Sequence, residues 1–408
     1  MKTTILHVDI NSYFATILQQ ENPHLRHKPV GVIKDEGRTC LIATSKEAKQ
    51  LGIGTGSNVY EAREIFPEII LIPASFDRYL DATKKLKKIF ESISPDVYIY
   101  SLDEAFINIS HCQKFIYPQA EQLGQQIQQK IKQELGSWVT ANVGIGNNRL
   151  LAKIASEIAA KGSVLEINQD NLDGILASIE FKDVCGVGYQ LTKKLQRLNV
   201  THPYQLRFFT AEELGVLVGP FWANELLKIA YGQEPHLLTL LEKPSSHMKS
   251  IGRSITGFRL YDREDEIKSI LFNLCSEVID KTRKMKLAGR QITINLYGQN
   301  QAFHDHITLK YFIEHLDEMF IWVKKLYQHW NKDFKIIKFA IRLSLLEPND
   351  QKPLLPSWHK QEKIQTALDK INAKYGLFTL HPASIMKQHL IRPEVTGFLG
   401  DRDYQLGN

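Results

Sequence analysis

The sequence predicts a multidomain α+β protein, and three features carry that expectation. At 408 residues the chain exceeds what one hydrophobic core ordinarily serves and suits two to four domains. Strand and helix patterns alternate at first, give way to short helices from Asn168 to about Glu234, and resume as an α+β unit beyond Met248. The third feature is an apolar hairpin interrupted by acids. Val97 to Ile109 reads Val-Tyr-Ile-Tyr-Ser-Leu-Asp-Glu-Ala-Phe-Ile-Asn-Ile, two β-branched and aromatic runs meeting at a tight turn that carries Asp103 and Glu104. In one continuous strand these two would face opposite ways, whereas a turn lets both converge. Carboxylates in so apolar a setting cost stability unless a cation meets them, and a hard divalent ion with oxygen ligands is the natural partner. Asp and Glu are also ordinary residues of water-facing hairpin turns, so the pair alone does not decide.

A third carboxylate adds weight. Ile5-Leu6-His7-Val8-Asp9-Ile10 reads as a buried strand with Asp9 near its end, followed at once by Asn11 and Ser12, both good helix caps. Strand-helix-strand-strand patterning allows Asp9 to lie beside Asp103 and Glu104, and three such side chains suit two magnesium ions. Val8-Asp9-Ile10-Asn11-Ser12-Tyr13-Phe14, then Ala43-Thr44-Ser45-Lys46-Glu47-Ala48-Lys49, then Ser101-Leu102-Asp103-Glu104-Ala105-Phe106 resemble the ordered motifs of Y-family translesion DNA polymerases. The resemblance runs through about the first 346 residues and more weakly into the tail. The core resembles the DNA polymerase IV branch, while Lys46 to Lys49 and Tyr375 to Leu380 resemble the catalytic subunit of DNA polymerase V.

That resemblance implies a right-hand polymerase. It places a palm over 1–10 and 77–167, small fingers over 11–76, and a helical thumb with a helix-hairpin-helix over 168–235. A linker over 236–248, a C-terminal little finger over 249–346 and a tail over 347–408 complete the chain. It further implies dNTP addition to a primer 3′-hydroxyl opposite damaged or undamaged template, at low fidelity and without proofreading. Two Mg²⁺ ions would be held by Asp9, Asp103, Glu104 and the Ile10 carbonyl. Primer-template DNA and dNTP are the implied partners, with a sliding clamp and accessory subunits as further candidates.

The bulk properties agree. A hydrophobic content of 43% beside 24% charged residues is that of a folded globular chain. No run is long and apolar enough to span a bilayer, and the N-terminus lacks a basic-then-apolar signal pattern, so a cytoplasmic protein is expected. Cys40, Cys112, Cys185 and Cys275 are scattered without paired spacing, which indicates neither a zinc site nor a disulfide framework. The formal charge of +6 is modest. Its distribution says more, because Met248 to Leu346 holds about seventeen Lys and Arg against about eleven Asp and Glu, an excess that suits a phosphate-facing surface.

Taken in order, Phe14, Ile17 and Leu18 mark a helix ending near Asn22-Pro23. The resemblance makes Phe14 a steric gate beneath the incoming sugar, with Tyr13 beside it; filling core is the other reading of Phe14. Pro29 to Ile33 and Thr39 to Ile42 read as paired strands around Lys34-Asp35-Glu36-Gly37. Thr44, Lys46 and Lys49 are triphosphate candidates, where lysine supplies charge without the planar fork of arginine. Leu51 to Gly56 is glycine-rich but lacks a Gly-Lys-Ser/Thr ending and reads as a turn. A helix after Tyr79, the carboxylate hairpin, a helix over Ala120 to Leu135, a strand over Trp138 to Gly146 and a helix over Asn147 to Glu157 follow. The family's phosphate-reaching basic residue falls one step away, at Lys161.

In the next segment Gly186 and Gly188 admit a DNA phosphate to backbone amides at a helix N-terminus, and Lys193 and Lys194 add charge. In the little finger Ser250 to Thr256, a helix over Glu264 to Lys286, strands over Arg290 to Tyr297, Ile307 to Phe312 and Ile336 to Leu343, and a helix near Leu316 to Trp330 are expected. Arg253, Arg259, Lys286 and Arg290 are candidate DNA-backbone contacts that hold a template without reading its bases. Gln351, Leu354 and Leu355 partly resemble a clamp-binding peptide, and Ile364 to Gly376 reads as a helix. Two other functions compete. A palm-type nucleotide cyclase would need no basic final third, and a non-catalytic DNA-binding or clamp-adaptor homologue would not need the three carboxylates.

Overall fold

In the computed structural model, residues 3–34, 40–112, 120–239, 248–349, 356–375 and 379–380 are described. The chain divides into two compact units, one built on the chain up to Pro244 and one on Ser245–Val395. The first begins with β1 (Ile5–Ile10), α1 (Tyr13–Glu21), β2 (Val30–Ile33), β3 (Leu41–Thr44), α2 (Lys46–Gln50), α3 (Val59–Ile65), β4 (Ile70–Pro73) and α4 (Phe76–Glu91). It continues through β5 (Val97–Ile99), β6 (Glu104–Asn108), α5 (Ala120–Leu135), β7 (Ala141–Gly146), α6 (Arg149–Ile158) and β8 (Val164–Glu166). Then come α7 (Leu172–Ser178), α8 (Tyr189–Gln196), α9 (Ala211–Val218), α10 (Pro220–Ala230) and α11 (His236–Thr239).

Five strands form the sheet that positions the site, in the order β5-β6-β1-β7-β8. The middle strand β1 pairs antiparallel with both β6 and β7. Strand geometry sends alternate side chains to opposite faces, and here both faces are covered. Leu6, Val8 and Ile10 join Leu86, Phe90, Ile127 and Ile131 of α4 and α5 in one core. On the other face Ile5 packs with Phe106 and Ala152 beneath α6. His7 and Asp9 share that second face by parity.

Helix α6 lies directly on the sheet because β7 presents only bare backbone to it at Gly144 and Gly146. A Cβ on Gly144 would come within 2.0 Å of the Ala152 carbonyl oxygen and 2.4 Å of the Ser156 amide nitrogen. The helix is also tied at both ends. Asn148 accepts from the Leu151 amide at 3.0 Å and donates to the Gly232 carbonyl at 2.8 Å, and Asn142 Nδ2 donates to the Ser156 carbonyl at 2.9 Å. Its opposite flank, through Leu150, Leu151 and Ile154, completes the core of the following helices with Leu176, Leu195 and Leu226. One helix thus closes two cores.

A smaller sheet of order β3-β2-β4 packs Ile33 and Leu41 against Ala48, Ile53, Ala62 and Ile69. The expected pairing of Pro29 to Ile33 with Thr39 to Ile42 is present as β2 and β3, although positions 35–39 of its turn lie outside the described residues. The expectation that Asn11 or Ser12 caps α1 needs correction. Ser12 sits at φ 51° in the left-handed region and makes no side-chain cap, while Asn11 Nδ2 donates across to Asn142 Oδ1 at 3.1 Å.

The second unit comprises β9 (Ser250–Tyr261), α12 (Glu264–Lys284), β10 (Leu287–Tyr297), β11 (Ala302–Ile313), α13 (Leu316–Gln328), β12 (Ile336–Pro348) and α14 (Pro356–Tyr375). Its antiparallel sheet runs β11-β10-β12-β9. Two strands outrun their expected ends: β12 continues to Pro348 because Leu343 and Leu346 are both core residues, and β9 extends to Tyr261. The final helix starts eight residues before Ile364, and Arg283 ties it down through Asp369 at 3.1 Å.

Gly144→Ala is expected to destabilise the first unit by about 1–3 kcal/mol, the usual cost of overpacking, read as a lower urea midpoint. Gly174→Ala, in a helix where a Cβ would meet nothing within 4 Å, is the neutral or slightly stabilising control.

Candidate active site

The three carboxylates come together at one end of the central ladder. Asp9, one residue from the end of β1, stands directly opposite Glu104, the first residue of β6. Asp103 ends the turn before it, where the Ile10 amide donates to the Asp103 carbonyl at 3.0 Å and the Ser101 hydroxyl bonds the Asp103 carboxylate. Thr83 of α4 braces the same turn by donating to the Leu102 carbonyl at 2.6 Å. Like charges directly opposite across a ladder repel, and the protonation equilibria record it. Burial, then the charges of Asp103 and Glu104, push the Asp9 carboxyl well above the usual range. Burial likewise raises Asp103, helped by Glu104 and opposed by its bond from Ser101.

Glu104 behaves differently. Burial pushes it upward, but the close approach of His7 and the charge and hydrogen bond of Lys153 prevail and bring it down to about 2. His7 Nε2 stands 3.1 Å from Glu104 Oε2, and Lys153 Nζ bonds that same oxygen. His7 is fully buried, with Nδ1 2.6 Å from the Ser156 hydroxyl, and burial holds the imidazole below its ordinary value and therefore neutral. Neither His7 nor Lys153 is among the residues the sequence marks. The signals for them were a lone histidine in a buried strand and a lone lysine inside Leu150-Leu151-Ala152-Lys153-Ile154-Ala155, each easily read as a core residue or a wet helix face.

No group of three or more His, Cys, Asp or Glu side chains among the described residues is gathered tightly enough to hold a metal ion by itself, and Glu104 is bonded to Lys153. The donor set nevertheless fits a hard cation. Asp9 and Asp103 supply half-buried carboxylate oxygens that resist ionising beside one another, and a divalent ion between such groups relieves that resistance.

Around this centre the other sequence candidates divide. Burial, then the charge of Lys161, pulls the Lys49 ammonium below its ordinary value, while Asp9 and Asp103 oppose that pull, so Lys49 stands within electrostatic reach of the carboxylates and Lys161 beside Lys49. Thr44 and Ser12 each carry a buried hydroxyl without a hydrogen-bond partner. Phe14 is buried in the core of the sheet and stacks on Tyr79 with ring centroids 4.0 Å apart, as the core-filling reading expects. Tyr13 is corrected as a nucleotide contact, since its side chain is buried and its hydroxyl donates to the Tyr79 carbonyl at 2.7 Å. Lys46 is corrected too. Its ammonium lies 4.7 Å from the Trp138 ring, whose other cation, Arg26, stands at 5.1 Å; an indole face attracts a cation that sequence spacing alone would group with Lys49.

Gly186 adopts φ 90°, and a Cβ on Gly188 would meet nothing within 4 Å, so the amides at the start of α8 are open, with Lys193 and Lys194 exposed on that helix. In the second unit Arg253 is corrected: it pairs with Glu277 at 2.6 Å, and both side chains are largely buried. Arg259 pairs with Glu266 at 2.7 Å and stacks on Tyr261. Lys286 is exposed at a left-handed turn, and Arg290 lies 5.9 Å from the Phe312 ring. Gln351, Leu354 and Leu355 lie outside the described residues.

Known proteins resemble this arrangement. The profile of the impB/mucB/samB family matches residues 8–157, and that of the family's C-terminal domain matches residues 248–354. DNA polymerase IV of Pelotomaculum thermopropionicum is 27% identical, covering 95% of this chain and 98% of its own. DNA polymerase IV of Desulfatibacillum aliphaticivorans is 29% identical over 94% and 96%. A solved Y-family DNA polymerase chimera of Dbh and Dpo4 shares the fold, with a TM-score of 0.74 at 20% identity over 85% of this chain and 100% of that one.

Removing the repulsion at the site should stabilise the protein. With chelator present at pH 7.5, Asp103→Asn is expected to raise the thermal midpoint by about 2–4 °C. A raised folded pKa means stability present in acid and lost as pH rises through that pKa, so the advantage should vanish when the scan is repeated near pH 4.

Proposed function

This chain belongs to the impB/mucB/samB family, and from that premise we propose which of its residues copy DNA and how. It is a Y-family translesion DNA polymerase resembling DNA polymerase IV, a nucleotidyltransferase that takes primer-template DNA and dNTP. A cyclase or a non-catalytic adaptor is not favoured. The observation that carries the proposal is the convergence of Asp9, Asp103 and Glu104 at one end of adjacent strands, with Lys49 in electrostatic reach of Asp9 and Asp103.

Asp9, Asp103 and Glu104, with the Ile10 carbonyl, are the proposed holders of two Mg²⁺ ions. Such ions, when bound, activate a primer 3′-hydroxyl and neutralise charge on the α-phosphate and the departing pyrophosphate. Lys49 and Lys161 are the proposed cationic partners of the triphosphate, and Thr44, whose buried hydroxyl has no partner, is a further candidate. Phe14, held flat by Tyr79, bars a ribose 2′-hydroxyl. The backbone at Gly186 and Gly188, with Lys193 and Lys194, is proposed to receive duplex backbone, and Lys286 and Arg290 are the remaining candidates in the second unit. Low fidelity follows from small fingers that enclose the nascent pair little.

Two outcomes test these roles. In extension of a labelled primer across an abasic template, Asp103→Ala should lose at least about a thousandfold in rate, and activity surviving the substitution would exclude the mechanism. Phe14→Ala should narrow the preference for dNTP over rNTP by roughly tenfold or more, measured as the ratio of kcat/KM values; an unchanged ratio would remove Phe14 from the gate.

A further inference from the structure

Resting on the carboxylate assignment above, we infer that Lys153 is a positioning residue that makes Glu104 the reluctant cation ligand of the three, holding its Oε2 on the protein and leaving Oε1 to face an incoming ion. Lys153 Nζ bonds Glu104 Oε2, and His7 Nε2 stands 3.1 Å from the same oxygen without hydrogen-bond geometry. Lysine is ordinarily a mobile side chain, but this one is pinned from several sides. Its ammonium stands 3.3 Å from Glu157 Oε1 and 5.2 Å from the Tyr100 ring. Its helix is seated on Gly144 and Gly146 and tied through Asn148 and Asn142.

The residue type is informative as well. Helix α6 buries Leu150 through Ser156 without interruption, and Lys153 is only 7% exposed. A charge so placed contributes nothing to solubility, and an isoleucine would serve both cores better. Its purpose lies in its partner. A positive side chain bonded to a would-be metal ligand competes with any divalent ion for that ligand and repels the ion besides. Among the described residues no lysine or arginine is bonded to Asp9 or Asp103, so they take up an ion first, and Glu104 joins only when its bond to Lys153 loosens. Lys153 thereby restrains the free enzyme from filling its site before substrate phosphates arrive.

The test uses the full chain without DNA or nucleotide. Mn²⁺ binding, followed by electron paramagnetic resonance of the free ion, should be about tenfold tighter in Lys153→Gln or Lys153→Met than in wild type, and unchanged within about threefold in Lys153→Arg. Primer extension by the neutral variants should lose at least tenfold in kcat per folded molecule with the KM for dNTP nearly constant, the folded fraction being measured by circular dichroism because partial unfolding alone lowers apparent kcat at the same KM. Should both neutral variants unfold, wild type decides: ¹³Cε-lysine spectra, with Lys153 assigned from Lys153→Arg, should shift that resonance on Mg²⁺ addition. Unchanged or weaker Mn²⁺ affinity in a folded neutral variant, or a Lys153 resonance indifferent to Mg²⁺, overturns the inference. Wild-type primer extension, run alongside, reports separately on the polymerase reading.

Discussion

Asp9 and Glu104 face each other across neighbouring antiparallel strands, a juxtaposition of like charge that an ordinary sheet avoids. The first unit is arranged around tolerating it. The cost is shared unequally: Glu104 is compensated by Lys153 and His7 and stays ionised, while Asp9 and Asp103 are left to oppose each other and resist ionisation. That inequality is why one carboxylate looks like a structural ion-pair partner and the other two look like groups awaiting a cation. Strain of this kind persists only where the surrounding structure is strong enough to over-determine it.

The over-determination comes from α6. Resting on β7 through the bare backbone at Gly144 and completing a second core with Leu176, Leu195 and Leu226, the helix has little freedom to slide or rotate. Lys153 and Ser156 therefore reach the sheet from a nearly immovable platform, and a catalytic constellation built on such elements is held more closely than one on loops. The glycines of β7, the apolar run of α6 and the polarity of one lysine are parts of a single device.

Much of this was legible in residues whose local chemistry and final role agree. The acidic turn after Val97 to Ile99, the lone carboxylate of β1 and the basic final third were visible because each departs from the pattern around it. Asp103 and Glu104 do converge, although Glu104 opens β6 rather than sitting within the turn. What escaped was whatever depends on a partner distant in the chain. Lys153 meets Glu104 across 49 positions and His7 meets Ser156 across 149, and no periodicity reports such a meeting. The same blindness misassigned Arg253 and Lys46: spacing shows that a cation is present, never that Glu277 or Trp138 has already claimed it. Tyr13 failed for a related reason, since an aromatic beside a motif can turn inward when Tyr79 offers a carbonyl.

The order of β1 in its sheet has a consequence for how the protein is made. Its hydrogen-bonding partners are β6 and β7, so a strand completed by Ile10 waits for Ala141 to Gly146 before both its edges are covered. At ribosomal speeds that interval is roughly seven to thirty seconds, during which Ile5-Leu6-His7-Val8 is a sticky ribbon with at least one edge uncovered. Newborn copies on crowded polysomes are exposed to mispairing with one another for that time, and a chaperone that shields the emerging amino terminus would raise the yield of active molecules more than one acting after release.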